Sequence, residues 1–360
     1  MAIAVADKDT DTEVKDILSS EDEIPFKYSI TSYGADFTLD SLVRRIRDGS
    51  IVVPTFQRQF VWNQKQASLL IESFLMGLPV PGIFLSLEED QTLLVIDGQQ
   101  RLRTLQFFYE GVFDQTGKEF ALTGVREPFK GDTYRTLSDQ DRRQLDNSIL
   151  HATIVRQDVP QDGNSSIYIL FERLNTQGVQ LHPQEIRNCM YRGPFNDTLK
   201  DLNGDHSWRH IFGSVHQRSK DVELILRFLA LYFDGENYTR PMKGFLNDYM
   251  DGNRKLSKHS HEEICQAFIP TIALIHSALG KSAFRTRAAA LNAAVFDAVM
   301  VATARRIEQG EVANLEEYRQ KYLELVDHED FISDTESGTA EVGRVQRRIS
   351  LATAAFADVH

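Results

Sequence analysis

Residues 92 to 111, Thr-Leu-Leu-Val-Ile-Asp-Gly-Gln-Gln-Arg-Leu-Arg-Thr-Leu-Gln-Phe-Phe-Tyr-Glu-Gly, leave the chain few ways to fold. Leu93 to Ile96 is a continuous apolar run, the pattern of a buried strand. Asp97-Gly98 breaks it, and from Gln99 the apolar residues Leu102, Leu105, Phe108 and Tyr109 recur at helical spacing until Gly111. The stretch therefore predicts a strand, a one-glycine turn and a helix. Such a turn aims the first N–H groups and positive dipole end of the helix at whatever lies above the strand, and a phosphate is the natural occupant. Asp97, at the strand end, could hold a metal or a water; Arg101 and Arg103 add positive charge, with Arg101 nearer the turn. The same Asp-Gly pattern also marks a plain tight turn, so both readings stand on geometry alone.

Asp97-Gly98-Gln99-Gln100-Arg101-Leu102-Arg103-Thr104-Leu105 resembles the signature of the N-terminal domain of GmrSD-type and SspE-type bacterial restriction proteins. Two more blocks match in the same order. One is Pro54-Thr55-Phe56-Gln57-Arg58-Gln59-Phe60-Val61-Trp62, followed by Gly77-Leu78-Pro79-Val80-Pro81; the other is Phe171-Glu172-Arg173-Leu174-Asn175-Thr176-Gln177-Gly178, continuing to Leu181 and Glu185-Ile186. The resemblance covers residues 36 to 192. It implies a mixed α/β (α+β) domain similar to the ParB/sulfiredoxin fold, whose turn cradles nucleotide phosphates. By the same resemblance, Gln57, Arg58, Gly98, Gln99, Gln100, Arg101, Arg173 and Asn175 contact a nucleoside triphosphate, GTP, ATP or CTP. Asp97, Glu172 and Asn175 hold Mg²⁺, and Asp97, Arg101 and Arg58 act on the phosphates. On the residues alone, a carboxylate and an amide oxygen at a helix end suit a hard divalent ion; Asn175 as a helix C-cap with Gly178 in a turn fits equally well. The family pattern has Ser or Thr after Leu181 to cap the next helix. Here His182-Pro183 stands instead, and Pro183 suits a first helical position.

The 360 residues, 42% of them hydrophobic, suffice for two cores. We expect an acidic disordered tail over 1–24, the ParB-like nucleotide-binding domain over 25–192 and an all-helical domain over 193–360. The net charge of −12 argues against a protein coated in DNA-binding surface. Residues 1–24 carry two lysines against eight acids; residues 25–192 carry 4 Lys and 14 Arg against 20 acids, a net of −2. That bias to Arg suits bidentate phosphate contacts, and surface ion pairs account for it equally well. No run approaches the ~18 apolar residues of a membrane span. Two widely separated cysteines, Cys189 and Cys265, argue for a reducing cytoplasm over a disulfide framework.

Along the chain, Thr38 predicts a helix N-cap before Leu39, Leu42, Val43 and Ile46, and Asn63 with Gln66 predicts a capping box. The stripe of that second helix is Ala67, Leu70, Ile71, Phe74, Leu75 and Leu78. Strands are expected over Ile83–Leu87 and Ile149–Arg156, a turn over Asp158–Asn164, and helices over Ser138–Asn147, Ser165–Leu174 and Gln184–Tyr191. Ile167, Leu170, Phe171 and Leu174 should face inward. The second half predicts helices over Asp221–Phe233, Glu262–Leu279, Ala288–Ile307, Leu315–Val326 and Gly343–Phe356. His206-x3-His210 lacks a third well-placed ligand for a metal. The chain has neither a Walker phosphate loop nor the His-rich hairpin of an HNH nuclease.

Three functions fit these expectations. The first is Mg²⁺-dependent triphosphate hydrolysis coupled to sensing modified or foreign DNA in anti-phage restriction. The others are a nucleotide switch that closes on DNA without turnover and a metal-dependent endonuclease. A separate nuclease effector and a homo-oligomer are partners the family suggests.

Overall fold

The computed structural model describes residues 14–15, 29–54, 60–88, 90–159, 165–174, 181–285 and 290–360. These divide into two compact units, one running up to Leu181 and the other comprising His182–His360 with the short N-terminal strand.

The first unit is α/β. After β1 (Val14–Lys15), which belongs to the second unit, come β2 (Ser29–Thr38), α1 (Leu39–Arg47), β3 (Ile51–Val52) and α2 (Gln64–Leu75). β4 (Ile83–Leu87), β5 (Leu93–Asp97) and α3 (Gln99–Glu110) follow, then the short pair β6 (Val112–Phe113) and β7 (Lys118–Glu119). α4 (Asp139–Asn147), β8 (Ile149–Val159) and α5 (Ser165–Leu174) complete it. The five-stranded sheet has the order β2-β8-β4-β5-β3. It is mixed: β2/β8 and β4/β5 are antiparallel, β4/β8 and β3/β5 parallel. One face, with Ile83, Leu85, Leu93, Val95, Leu150, Ala152 and Ile154, shares a core with Leu39 and Leu42 of α1, Ile71 and Phe74 of α2, and Leu102, Leu105 and Phe108 of α3. α5 packs against β5 and β8.

The local signals act as their chemistry dictates. Thr38 Oγ1 accepts from the Ser41 N–H at 3.4 Å, and Asn63 and Gln66 make both bonds of the capping box at 2.9 and 3.0 Å. Gly111 ends α3 with φ 81°, the left-handed geometry a helix stop uses. His182 supplies the cap that Ser or Thr would give. Its Nδ1 accepts from the Gln184 N–H at 3.4 Å, while Glu185 accepts from the His182 N–H at 2.5 Å. Three expectations need correction. Leu78 lies beyond α2 and is 49% exposed, because the helix ends at Leu75. β8 runs on through Asp158 and Val159, since β2 is long enough to pair with it that far; the rest of the expected turn lies outside the described residues. On α5, Tyr168 is buried alongside Ile167 and Phe171, whereas Leu170 and Leu174 are half-buried.

The second unit is helical: α6 (Pro183–Met190), α7 (Pro194–Asn203), α8 (His206–Phe212), α9 (Lys220–Asp234), α10 (Met242–Gly252) and α11 (His261–Leu279) lead to β9 (Leu291–Asn292). α12 (Ala293–Glu308), α13 (Leu315–Val326), α14 (Glu329–Glu336) and α15 (Val342–Phe356) follow. β1 pairs in parallel with β9, so Val14 and Lys15 are not part of a free tail; the rest of 1–24 lies outside the described residues. α12 starts at Ala293 because the Asn292 side chain caps it, accepting from Ala294 and Val295 N–H groups at 2.9 and 3.2 Å. The helical stretch His261–Ser282, α11 and the turn after it, is by length and composition apolar enough to cross a membrane, contrary to the expectation from unbroken apolar runs. One stripe of it, with Ile264, Phe268, Ile272 and Ile275, is buried, and it packs against α12, α8 and α13 while its other side is open.

Candidate functional site

β5 ends and α3 begins at one rim of the sheet. The register puts Phe84 opposite Asp97, Ile83 opposite Ala152 and Asp36 opposite His151, so the end of β5, the starts of β4 and β8 and the end of β2 share that rim. Gly98 makes the turn with φ 101°. A Cβ there would meet Ile83 Cγ2 at 2.3 Å and Arg101 Nη2 at 3.3 Å. The glycine is required by the packing of the turn on β4 as well as by its backbone angle. α3 starts with no side-chain cap, in contrast to α1, α2 and α4. Gly98, having no side chain, supplies no cap of its own to that helix start, an arrangement that suits an anion.

Arg101 turns inward from that helix start. Its Nη2 donates to Asp97 Oδ2 and to the Gly82 carbonyl, each at 3.0 Å. The side chain is only 17% exposed, and its Nε has no hydrogen-bond partner among the described residues. An unpaired N–H of a buried guanidinium is costly unless something else accepts from it. Asp97 keeps 41% of its side chain open to solvent. Arg103 points away, as its position two residues on requires: Nη2 donates to the Val53 carbonyl at 3.4 Å and Nη1 to Gln106 at 3.3 Å.

The two glutamines bond to backbone. Gln99 Nε2 donates to the Pro54 carbonyl at 3.3 Å, and Gln100 Oε1 accepts from the N–H groups of Val61 and Trp62 at 3.0 and 3.4 Å. Glu172 and Arg173 sit at the C-terminal end of α5, half-buried and exposed respectively. α5 packs on β8 and β5 and carries Glu172 and Arg173 in its last turn. Gln57, Arg58 and Asn175 lie outside the described residues. Among the described residues no group of three or more His, Cys, Asp or Glu side chains is arranged to hold a metal ion. A site built from one or two carboxylates plus phosphate oxygens, the usual way Mg²⁺ is held, needs no such cage, and the partly exposed Asp97 carboxylate suits one.

A second pair on this rim has no local signature in the sequence. His151 Nδ1 and Asp36 Oδ1 are 2.8 Å apart on β8 and β2, both more than half exposed. Two glycines make room for it: a Cβ on Gly34 would lie 2.8 Å from the imidazole, and one on Gly82 would lie 2.8 Å from the His151 carbonyl. Only the β2/β8 register joins residues 115 positions apart, so no local motif could have flagged them.

This geometry defines a class: an α/β domain with an uncapped helix start, an inward arginine and an adjacent carboxylate at one end of a mixed sheet. Residues 39–192 match the family described as GmrSD restriction endonuclease, N-terminal domain, and that part of the chain is a domain of this family. The membership indicates a restriction-type, anti-phage role, with DNA as the target it suggests. No curated protein matches the chain.

Proposed function

We propose that the domain binds a nucleoside triphosphate with Mg²⁺ at the Asp97–Arg101 rim and hydrolyses it, coupling turnover to the sensing of modified or foreign DNA. The observation that carries this reading is the largely buried Arg101 side chain, its Nε buried and unpaired among the described residues, beside a helix start whose N-cap is a glycine. Asp97 and Glu172 would hold the ion, which supplies charge neutralisation across the phosphate oxygens. The α3 N–H groups and Arg101 bind and orient the distal phosphates and stabilise the charge that develops on them. Asp97 Oδ2 is engaged by Arg101, and its Oδ1 is the oxygen left to orient water or metal. Arg58 and Asn175 join by family resemblance. The reaction belongs in the cytoplasm, where triphosphates and incoming DNA meet, with a separate nuclease as the effector and self-association as a further option.

The test is phosphate release from GTP, ATP and CTP with Mg²⁺, with and without DNA. Binding without release would favour the switch instead. The family description favours one competing reading, that the same rim cleaves DNA itself. Nicking of a supercoiled plasmid in the absence of nucleotide would establish that alternative.

A further inference from the structure

In the helical unit, α8 and α11 bring three imidazoles together. His206 and His210 stand four residues apart on α8, so they share one exposed face of that helix. The third ring, which their spacing in the sequence lacks, is His276 of α11. Its centroid lies 4.5 Å from that of His210 and 6.1 Å from that of His206, with the ring planes inclined at 42° and 77°. Two imidazoles that share one tetrahedral zinc at about 2.0–2.1 Å have centroids roughly 5 Å apart. The two observed separations bracket that value. The backbone beneath the rings is fixed: Trp208, Ile211 and Phe212 of α8 are buried, and the Trp208 and Phe268 rings tie α8 to α11 at 6.5 Å between centroids. The imidazoles themselves can turn. Among the described residues none of the three rings is held by a hydrogen bond, and His206 and His210 are exposed. Burial, and after it the neighbouring His210 and His206, lower the His276 pKa, with Asp205 opposing them. That favours the neutral ring, the form that binds a metal.

We infer that His206, His210 and His276 form a binding site for a zinc-class transition metal that clasps α8 to α11. Their nitrogens as they stand do not make a closed cage. Rotation about the side-chain torsions, with neither helix moving, brings one nitrogen of each ring onto the ion. Three imidazole donors select Zn²⁺ over hard Mg²⁺ and leave a fourth position to water. The site lies in the helical unit and does not rest on the nucleotide reading.

The probe is Zn²⁺ itself, titrated by calorimetry into the metal-free full chain with Mg²⁺ present and nucleotide absent. One equivalent should bind. His276→Gln should weaken that binding about a hundredfold, because a lost ligand costs at least as much as a lost supporting group. His206→Gln and His210→Gln replace exposed rings, leave the fold intact and should weaken it as much. His261→Gln is the control. That ring stands 3.5 Å from Cys265 Sγ, another pairing of zinc-type donors, and its loss should leave the affinity unchanged. No binding by the unsubstituted chain, binding that His276→Gln leaves as tight, or binding lost in His261→Gln instead would each overturn the site.

Discussion

Arg101 and Gly98 show how one residue type can be right for a reason the sequence does not display. Glycine after Asp97 suggests an open cradle, yet the space its side chain would fill is occupied by Ile83. Gly98→Ala should therefore destabilise the unliganded domain by about 3 kcal/mol, combining the left-handed backbone cost with overpacking. Ile83→Ala should recover part of that loss in the double variant. Denaturant midpoints without nucleotide measure both, and an unshifted Gly98→Ala midpoint would show that the turn is not packed this way. Asp97 and Arg101 carry the chemical predictions. Asp97→Ala should abolish phosphate release with the far-UV spectrum unchanged, and full turnover would remove the site. Arg101→Ala should weaken triphosphate more than diphosphate, because it is assigned to the distal phosphates. Asp97, Gly98 and Arg101 were legible because strand, turn and helix are local. Asp36–His151 was not, because cross-strand register is a property of the folded sheet.

At the scale of elements, the helix starts were the most legible part of the chain, since a cap is one side chain reaching a neighbour three residues away. Thr38, Asn63 and Ser138 each do what their sequence neighbourhood specifies. The short helices α7, α8, α10 and α14 went unseen because seven to eleven residues give too few turns for periodicity to stand out. α6 departs from its family pattern in a way that makes it sensitive to pH. Burial, the largest cause, lowers the His182 pKa to about 4, with Lys220, Arg187 and Arg218 acting in the same direction and Glu223 opposing them. A cap that accepts through Nδ1 requires the neutral ring. Folded His182 resists a proton that the unfolded chain takes up at an ordinary histidine pKa of about 6.5. Its effect on stability is therefore nil above that pH, grows as pH falls toward 4, and then levels off. By pH 5 the loss should be about 2 kcal/mol. His182→Asn keeps a capping oxygen and cannot titrate, so the gap between the two proteins' urea midpoints should change between pH 7 and pH 5. A constant gap would show that this ring does not carry the proton linkage.

For the whole molecule, the sequence pointed to an α/β half through its family resemblance and to a helical half through its amphipathic stretches, and both are present. What it could not supply is the arrangement of buried charge that joins distant helices. In the helical unit Asp297 on α12 is fully buried and accepts from Arg227 of α9 at 3.0 and 2.6 Å and from Arg348 of α15 at 2.9 Å. Both arginines read as surface charges in a linear sequence, yet each is about 1% exposed or less. Removing the shared carboxylate strands two buried cations, so Asp297→Ala should cost roughly 3–5 kcal/mol. Replacing all three residues with apolar ones of similar volume should recover most of it. The two tryptophans make the prediction specific to one unit, because Trp62 lies in the α/β unit and Trp208 in the helical one. With Trp62 replaced by Phe, the remaining fluorescence follows Trp208, which is fully buried; with Trp208 replaced, it follows Trp62. Asp297→Ala should move the Trp208 transition to lower urea by far more than the Trp62 transition. Equal shifts would mean that the two units unfold as one, and that a single stability governs both the rim around Asp97 and the helices.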